Sequence, residues 1–598
     1  MILCNWSWRS SLGAAFIFMA TLTGSVTAAE PDAQETLALH ALFDRQWEGI
    51  KRLFPELASY LGDHRFGDRL SDASAAGRAA ADAQGQQWLQ EARALQRDKL
   101  SLTDRVSLDM FVASQERQTE RRAFEGYRTM TLGALGGAQS QFADLLQLAP
   151  VQRREQVEQT LARMAALPRR IDQEIANLRR GMALGWVPPK DVLQRVLAQI
   201  DAQLPADIEA GPYWLPFKRL GSAISASDRE ALQTAGREAI RGHVVPAMQG
   251  LRAFVANEYL PRAPADGALK NYPDGLRVYE MEVRQQTTTN LSASEIHEIG
   301  LRELRRIRAE MAAVMRQTRF EGDFPAFVAW LNSDPKFFHT SPEALLAGYR
   351  DIAKRLDAEM PKLFAELPRA PYGVQAMPAH LGNRAEYYSG PAIDGSRAGI
   401  FFANTLAWRS RPTWAMETLV AHEAVPGHHM QIARATELRG LPNFRRSGFG
   451  YTAFSEGWGL YAETLGFDLG LYTDPYSRFG HLQWQAFRAA RLVVDTGLHA
   501  MGWSRQQCID FMVERTGVDR EFVTGEIDRY TSQPGQALAY MIGKLKFDEL
   551  RDRARARLGP RFDIRRFHNA VLDQGALPLS TLERVVDEWI VAEQRRET

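Results

Sequence analysis

Three of the twelve histidines in this 598-residue chain fall within eight residues, in the run His422-Glu423-Ala424-Val425-Pro426-Gly427-His428-His429. A His-Glu pair followed by histidine is what zinc-dependent hydrolysis uses. Two imidazoles bind the metal, and the glutamate beside the first takes a proton from the attacking water. In a continuous helix, histidines four apart share a face about 6 Å apart and can reach one ion. Here the second candidates lie six and seven residues on. Six residues turn a helix through about 600°, onto the wrong face, with a rise of about 9 Å; seven restore the face but rise about 10.5 Å. Zinc needs each nitrogen at about 2.0–2.1 Å, so neither fits a straight helix. Pro426-Gly427 supplies a break, because proline lacks the amide proton and clashes with the carbonyl four residues earlier, that of His422. Looping out two residues puts His428 where the i+4 ligand belongs, and looping out three selects His429. We expect His422 and His428 as ligands of one zinc ion per chain, His429 as the alternate, and Glu423 as general base.

A third ligand should come from a following helix. The segment Tyr451 to Glu463 carries two carboxylates, Glu456 and Glu463, seven apart and so on one face. Glu456 sits among aromatic and small residues, and a buried carboxylate costs several kcal/mol without a partner such as a metal. Glu456 is the expected ligand and Glu463 its alternate. Glu463 and Glu417 also suit the task of orienting a ligand histidine. The other His-Glu pair, His297-Glu298, has no further histidine until His339 and is expected on a helix surface.

The elements that must position these residues are mostly helical. Val157, Leu161 and Met164 keep a helical rhythm, Pro168 interrupts it, and Ile171, Ile175, Leu178 and Met182 resume it before Gly185 and Pro188-Pro189. Ser292-x-x-Glu295 is a capping box ahead of Leu304, Ile307, Met311 and Val314. The clearest strand is the apolar run from Gly399 to Thr405. Three prolines between Leu260 and Asp274 mark a boundary between an N-terminal helical region, 30–270, and a catalytic region, 271–598. The expected fold is mainly α, with a small β-sheet beside the metal helix.

Composition excludes several classes. With 45% apolar and 24% charged residues the chain is neither disordered nor collagen-like, and 73 basic against 72 acidic residues give no footprint for nucleic acid. Residues 1–29 have the layout of a signal peptide: Arg9, an apolar stretch from Leu12 to Leu22, then small residues ending at Ala28-Ala29. Cleavage near Glu30 removes Cys4 and leaves Cys508 alone, so no internal disulfide can form. The mature chain has no second long apolar run. We expect a periplasmic or secreted protein that is not held in a membrane once the signal is removed.

Five segments together resemble the bacterial domain-of-unknown-function family 885: Gly62 to Arg65, His422 to His429, Phe454-Ser455-Glu456-Gly457-Trp458, Arg491 to His499, and Pro534 to Tyr540. That family is placed among zincin-like metallopeptidases, and a glutamate third ligand makes it look like a gluzincin. More distantly the chain is similar to helical enzymes of the carboxypeptidase Taq, thimet oligopeptidase and angiotensin-converting enzyme type. Those have the four-residue spacing that this chain lacks, so the resemblance leaves His428 and His429 both open. It implies that Ile400 to Thr405 pairs with an extended substrate, with Asn404 either a backbone contact or a turn residue. It implies an oxyanion group, Tyr540 first, then Tyr530 and His499. It also implies Arg529 as a contact for a substrate carboxylate, with an interhelical ion pair the other reading. The expected activity is hydrolysis of short peptides. The alternatives are a zinc hydrolase of another amide, such as a modified amino acid or cell-wall peptide, and a helical binding protein without catalysis.

Overall fold

In the computed structural model, residues 32–134, 136–378, 385–393, 395–446 and 450–596 are described; the signal segment 1–29 lies outside them. The helical rhythm along 157–182 becomes one helix, α1 (Arg154–Ala183), with Pro168 inside it. The expected interruption does not occur. Proline forfeits one backbone bond, but Val157, Met164, Leu167, Ile171 and Leu178 form one buried stripe whose packing holds both halves in line. Helix α2 (Ala293–Gln317) opens on the capping box as expected, with Ser292 and Glu295 bonded reciprocally. His297, expected at the surface, is buried instead, and its Nδ1 lies 2.9 Å from Thr496 Oγ1. Ser294, Glu295 and Glu298 around it are exposed, but the ring falls on the inner face with Ile296 and Gly300.

After α3 (Pro342–Glu359) comes a three-stranded sheet of β1 (Tyr372–Ala376), β2 (Tyr387–Ser389) and β3 (Gly399–Ala403). Strand β3 is central, parallel to β1 (Val374 opposite Phe401) and antiparallel to β2 (Tyr388 opposite Phe401). Alternation sets its buried face: Phe401 and Ala403 are fully buried, and the Phe401 ring packs edge-on against Tyr349 of α3.

The remaining elements build the site: α4 (Met416–Glu423), α5 (His428–Glu437), α6 (Thr452–Leu465), α7 (Pro475–His499), α8 (Arg520–Ser532) and α9 (Ala539–Leu558). Glycines let three of these pack at backbone distance. A Cβ on Gly300 of α2 would meet Leu492 and Val493 of α7 at 2.7 and 2.8 Å. One on Gly457 of α6 would meet the Gly543 Cα of α9 at 2.5 Å. The main core cluster runs from Ala268 to Ile590 and takes in Val106, Met110 and Trp186; two smaller clusters lie within 39–111 and 132–259. Among the described residues no helix is long and apolar enough to cross a membrane. The architecture is mainly α, with the small sheet packed on α3 and its Tyr372 and Tyr388 rings against His429 of α5.

Candidate metal centre

Helix α4 ends at Glu423, where the sequence demands it. Its last backbone bond runs from Ala424 N to Val420 O, and the chain then turns through Val425-Pro426-Gly427, with a cis Val425–Pro426 bond. The His429 N–H returns to the Ala424 carbonyl at 3.0 Å and starts α5. Only glycine fits the re-entry, since a Cβ on Gly427 would lie 1.9 Å from the His422 carbonyl oxygen. Trp458 of α6 donates from Nε1 to the Pro426 and Gly427 carbonyls, at 3.0 and 3.3 Å. These bonds hold the loop against α6, and the Gly427 carbonyl also accepts from the Gln431 N–H at 3.1 Å.

The loop brings His428, not His429, to face His422. Their rings lie 4.8 Å apart and nearly perpendicular. Glu456 Oε2 lies 3.4 Å from His422 Nε2 and 3.4 Å from His428 Nε2. A tetrahedral ion with bonds of about 2.0–2.1 Å separates its ligand atoms by about 3.3–3.4 Å. The donor set therefore fits zinc. His422 Nδ1 lies 2.9 Å from Glu463 Oε1, so with that nitrogen protonated the Nε2 lone pair faces the Glu456 carboxylate. A second proton on the ring, or a cation between them, reconciles the two. Glu423 is buried beside this set, with a carboxylate oxygen within 4.8 Å of a ring nitrogen of each of the two histidines.

Electrostatics follow from burial and pairing. Burial opposes a charge on His422, yet Glu456 and Glu463 outweigh it and push its pKa up to about 9. Burial raises the Glu423 carboxyl above the usual range, with the two histidines pulling the other way. Burial likewise opposes ionisation of Glu463, but Arg488 and His422 hold it below the usual range. Glu463 also accepts from Gln485 Nε2 at 3.0 Å. Its contact with Nδ1 sets it on the opposite side of the His422 ring from Glu456, which faces Nε2. Glu417, named with Glu463 for orienting a histidine, does not perform that task. It accepts from the Tyr472 N–H at 2.7 Å and pairs with Arg355, at the opposite end of α4 from His422.

Glu456, Gly459 and Glu463 form one stripe on α6, and the His422 ring lies across it. A Cβ on Gly459 would meet His422 Cε1 at 2.7 Å and Nε2 at 2.9 Å. The alternate ligand His429 points away. Its Nδ1 is 2.8 Å from the Tyr388 hydroxyl of β2, and burial pulls its pKa down to about 4.

A cleft of ≈ 370 Å³ opens on these residues, walled by Tyr387 and Tyr388 of β2, by Trp484, Arg488 and Arg491 of α7, and by Tyr540 of α9. The Tyr540 ring stacks 6.3 Å from His422, so the first oxyanion candidate lies at the site. The other two do not. Tyr530 is fully buried behind Arg491, whose Nε donates to its hydroxyl at 2.9 Å. His499 accepts from the Leu269 N–H through Nδ1 and donates from Nε2 to the Tyr530 carbonyl, which leaves neither nitrogen for substrate. Arg529 is consumed by Glu526, at 2.9 Å, and by Gln536. Asn404 closes the turn after β3, its Oδ1 accepting from the Leu406 and Ala407 N–H groups. Since both edges of β3 are paired, it cannot bind a peptide; among the described residues the outer strand on the cleft side is β2.

Fold and site together define a mainly α protein with two histidines and two glutamates converging at the head of a cleft. The chain belongs to the family described as Bacterial protein of unknown function (DUF885), whose model matches residues 55–586. It is similar to the crystal structure of a candidate lipoprotein from Colwellia psychrerythraea, at 27% identity and a TM-score of 0.87, covering 93% of this chain and 99% of that one. A candidate lipoprotein of unknown function from Shewanella oneidensis shares the fold, at 18% identity and a TM-score of 0.70, covering 93% and 100%. No curated protein matches the sequence. The lipoprotein description of the Colwellia protein fits an exported protein.

Proposed function

We propose that the protein is an exported zinc-dependent peptidase, working in the periplasm or outside the cell, that hydrolyses peptide bonds of short peptides. One observation carries this reading: Glu456 Oε2 is 3.4 Å from both histidine nitrogens, the spacing of ligands around a tetrahedral ion, with Glu423 beside them in an open cleft. His422, His428 and Glu456 would hold the zinc. When bound, zinc polarises the substrate carbonyl and makes water a stronger nucleophile at neutral pH. Glu423 accepts the proton of the attacking water and returns it to the departing nitrogen as the carbon–nitrogen bond breaks, so the products are a carboxylate and an amine. Tyr540 donates a hydrogen bond to the carbonyl oxygen as it gains charge. Glu463 holds the His422 ring in place and fixes its tautomer. The outer strand β2 presents backbone groups along which an extended peptide can lie.

Elemental analysis of the purified protein, coupled to cleavage of a mixed peptide library read by mass spectrometry, tests this. The expected result is one zinc per chain and cleavage that stops with chelator and returns with zinc. Cleavage indifferent to chelator, or no cleavage of any peptide, would overturn it.

A further inference from the structure

From Gln485 to His499 every residue of α7 is buried, yet this stretch carries two guanidinium groups. A buried charge is costly unless paired and fully hydrogen-bonded. Arg491 is paired: Nη2 donates to Glu526 at 2.7 Å and Nε to the Tyr530 hydroxyl, while its Nη1 has no partner. Arg488 is not closely paired. Among the described residues the one carboxylate within reach is Glu463, 3.7 Å away and already bonded to His422 and Gln485. Its Nη1 reaches only the Trp484 carbonyl at 3.5 Å, and its Nε has no partner. Both side chains line the cleft that holds Glu423 and His428. Both are held flat by aromatic rings, Arg488 over Trp484 at 4.5 Å and Arg491 over Tyr540 at 4.4 Å. Arg529 stands behind them and shares Glu526 with Arg491, so three guanidiniums face two carboxylates.

We propose that Arg488, with Arg491 beside it, binds the free C-terminal carboxylate of the substrate. A planar guanidinium with unmade N–H bonds accepts a carboxylate through two parallel hydrogen bonds. The subsite lies close to the reacting groups, since Arg488 touches Glu463 and Glu463 touches His422. The substrate class is therefore short peptides or N-acyl amino acids with a free carboxylate, trimmed near the C-terminal end. This deepens the peptidase reading and rests on it for the cleavage step, but not for binding.

The test pairs each acid with its carboxamide. N-acetyl-leucine and N-acetyl-leucinamide are titrated calorimetrically into wild-type protein, with zinc and after chelation. Peptides ending in a free acid or an amide are compared for kcat/KM. The acid should bind at least about tenfold tighter than the amide in both metal states, and acid peptides should be preferred by a similar factor or more. Arg488→Gln should remove the preference, and Arg488→Lys, which keeps the charge but loses the fork, should restore part of it. Equal binding of acid and amide by the wild type overturns the subsite without any variant. Acid-selective binding with no cleavage of any peptide keeps the subsite and removes the peptidase reading.

Discussion

Replacing Gly459 by alanine adds one methyl group where the His422 ring leaves no room for it. The new Cβ would stand 2.7 Å from His422 Cε1 and 2.9 Å from Nε2. Carbon atoms pack comfortably from about 3.5 Å, so the imidazole must retreat by about 0.8 Å. Metal–ligand bonds tolerate only about 0.2 Å. The ring cannot make that move by pivoting freely, because Glu463 holds its Nδ1 at 2.9 Å and Glu456 faces its Nε2. Mutations that merely disturb a ligand's supporting partner weaken metal binding about 10- to 100-fold. Direct displacement of the ligand should reach or exceed the upper figure. Loss of helix does not supply a competing explanation, since alanine favours a helix over glycine by about 1 kcal/mol. Zinc affinity is measured by competition with a fluorescent chelator, and fold by thermal melting with excess chelator present. The expected outcome is a zinc Kd at least about 100-fold weaker, with cooperative melting kept in chelator and stability lowered by no more than the about 1–3 kcal/mol that an extra buried methyl costs. A Gly459→Ala protein that binds zinc within twofold of the parent would refute the placement of His422 across α6.

Three further outcomes follow. His428→Ala should lose zinc, whereas His429→Ala should keep it and raise KM, because His429 anchors Tyr388 of the cleft-side strand; the reverse pattern in elemental analysis would exchange their roles. Tyr540→Phe should keep zinc and lower kcat by about 10²-fold with little change in KM, and an unchanged kcat would remove Tyr540 from the oxyanion role. Burial pulls the pKa of His499 and His568 down to about 4, against about 6.5 in the unfolded chain. Below pH 6.5 the unfolded state takes up protons that the folded state refuses. Stability is therefore full above that pH and falls towards pH 4, by about 1.4 kcal/mol per pH unit for each histidine. A melting midpoint that stays level from pH 7 to 4.5 would contradict this.

The cluster of His422, His428 and Glu456 was legible in the sequence because its logic is local. The break follows from Pro426-Gly427, which left His428 and His429 both open, and the contact of Glu463 with His422 follows from its sharing a helix face with Glu456. Helix α2 was equally legible from its cap and stripe. What local pattern could not convey is which strands pair. Gly399 to Thr405 reads as a strand, but its central position depends on β1 and β2, so its assignment to substrate failed. Pro168 failed for a similar reason, since the buried stripe on both sides outweighs a local breaker. Tyr530 and His499 have chemistry-bearing side chains spent on neighbours from other helices, a long-range fact that no motif records, and Arg529 is spent on Glu526 one turn back on its own helix. Arg488 and Arg491 were missed because arginines on helices are usually solvated. A signal existed: they interrupt a helix that is apolar on every face from Ala486 to Leu498, which marks it as buried all round.

Glu423→Gln tests the central claim most directly. The amide keeps the shape of the side chain but cannot take the proton of the attacking water. Zinc content and peptide turnover are measured on the same preparation. The account predicts one zinc per chain, as in the parent, with turnover lowered about 10²–10⁴-fold. A Gln variant that holds zinc and cleaves at the parental rate would contradict it, because the proton would then have another acceptor.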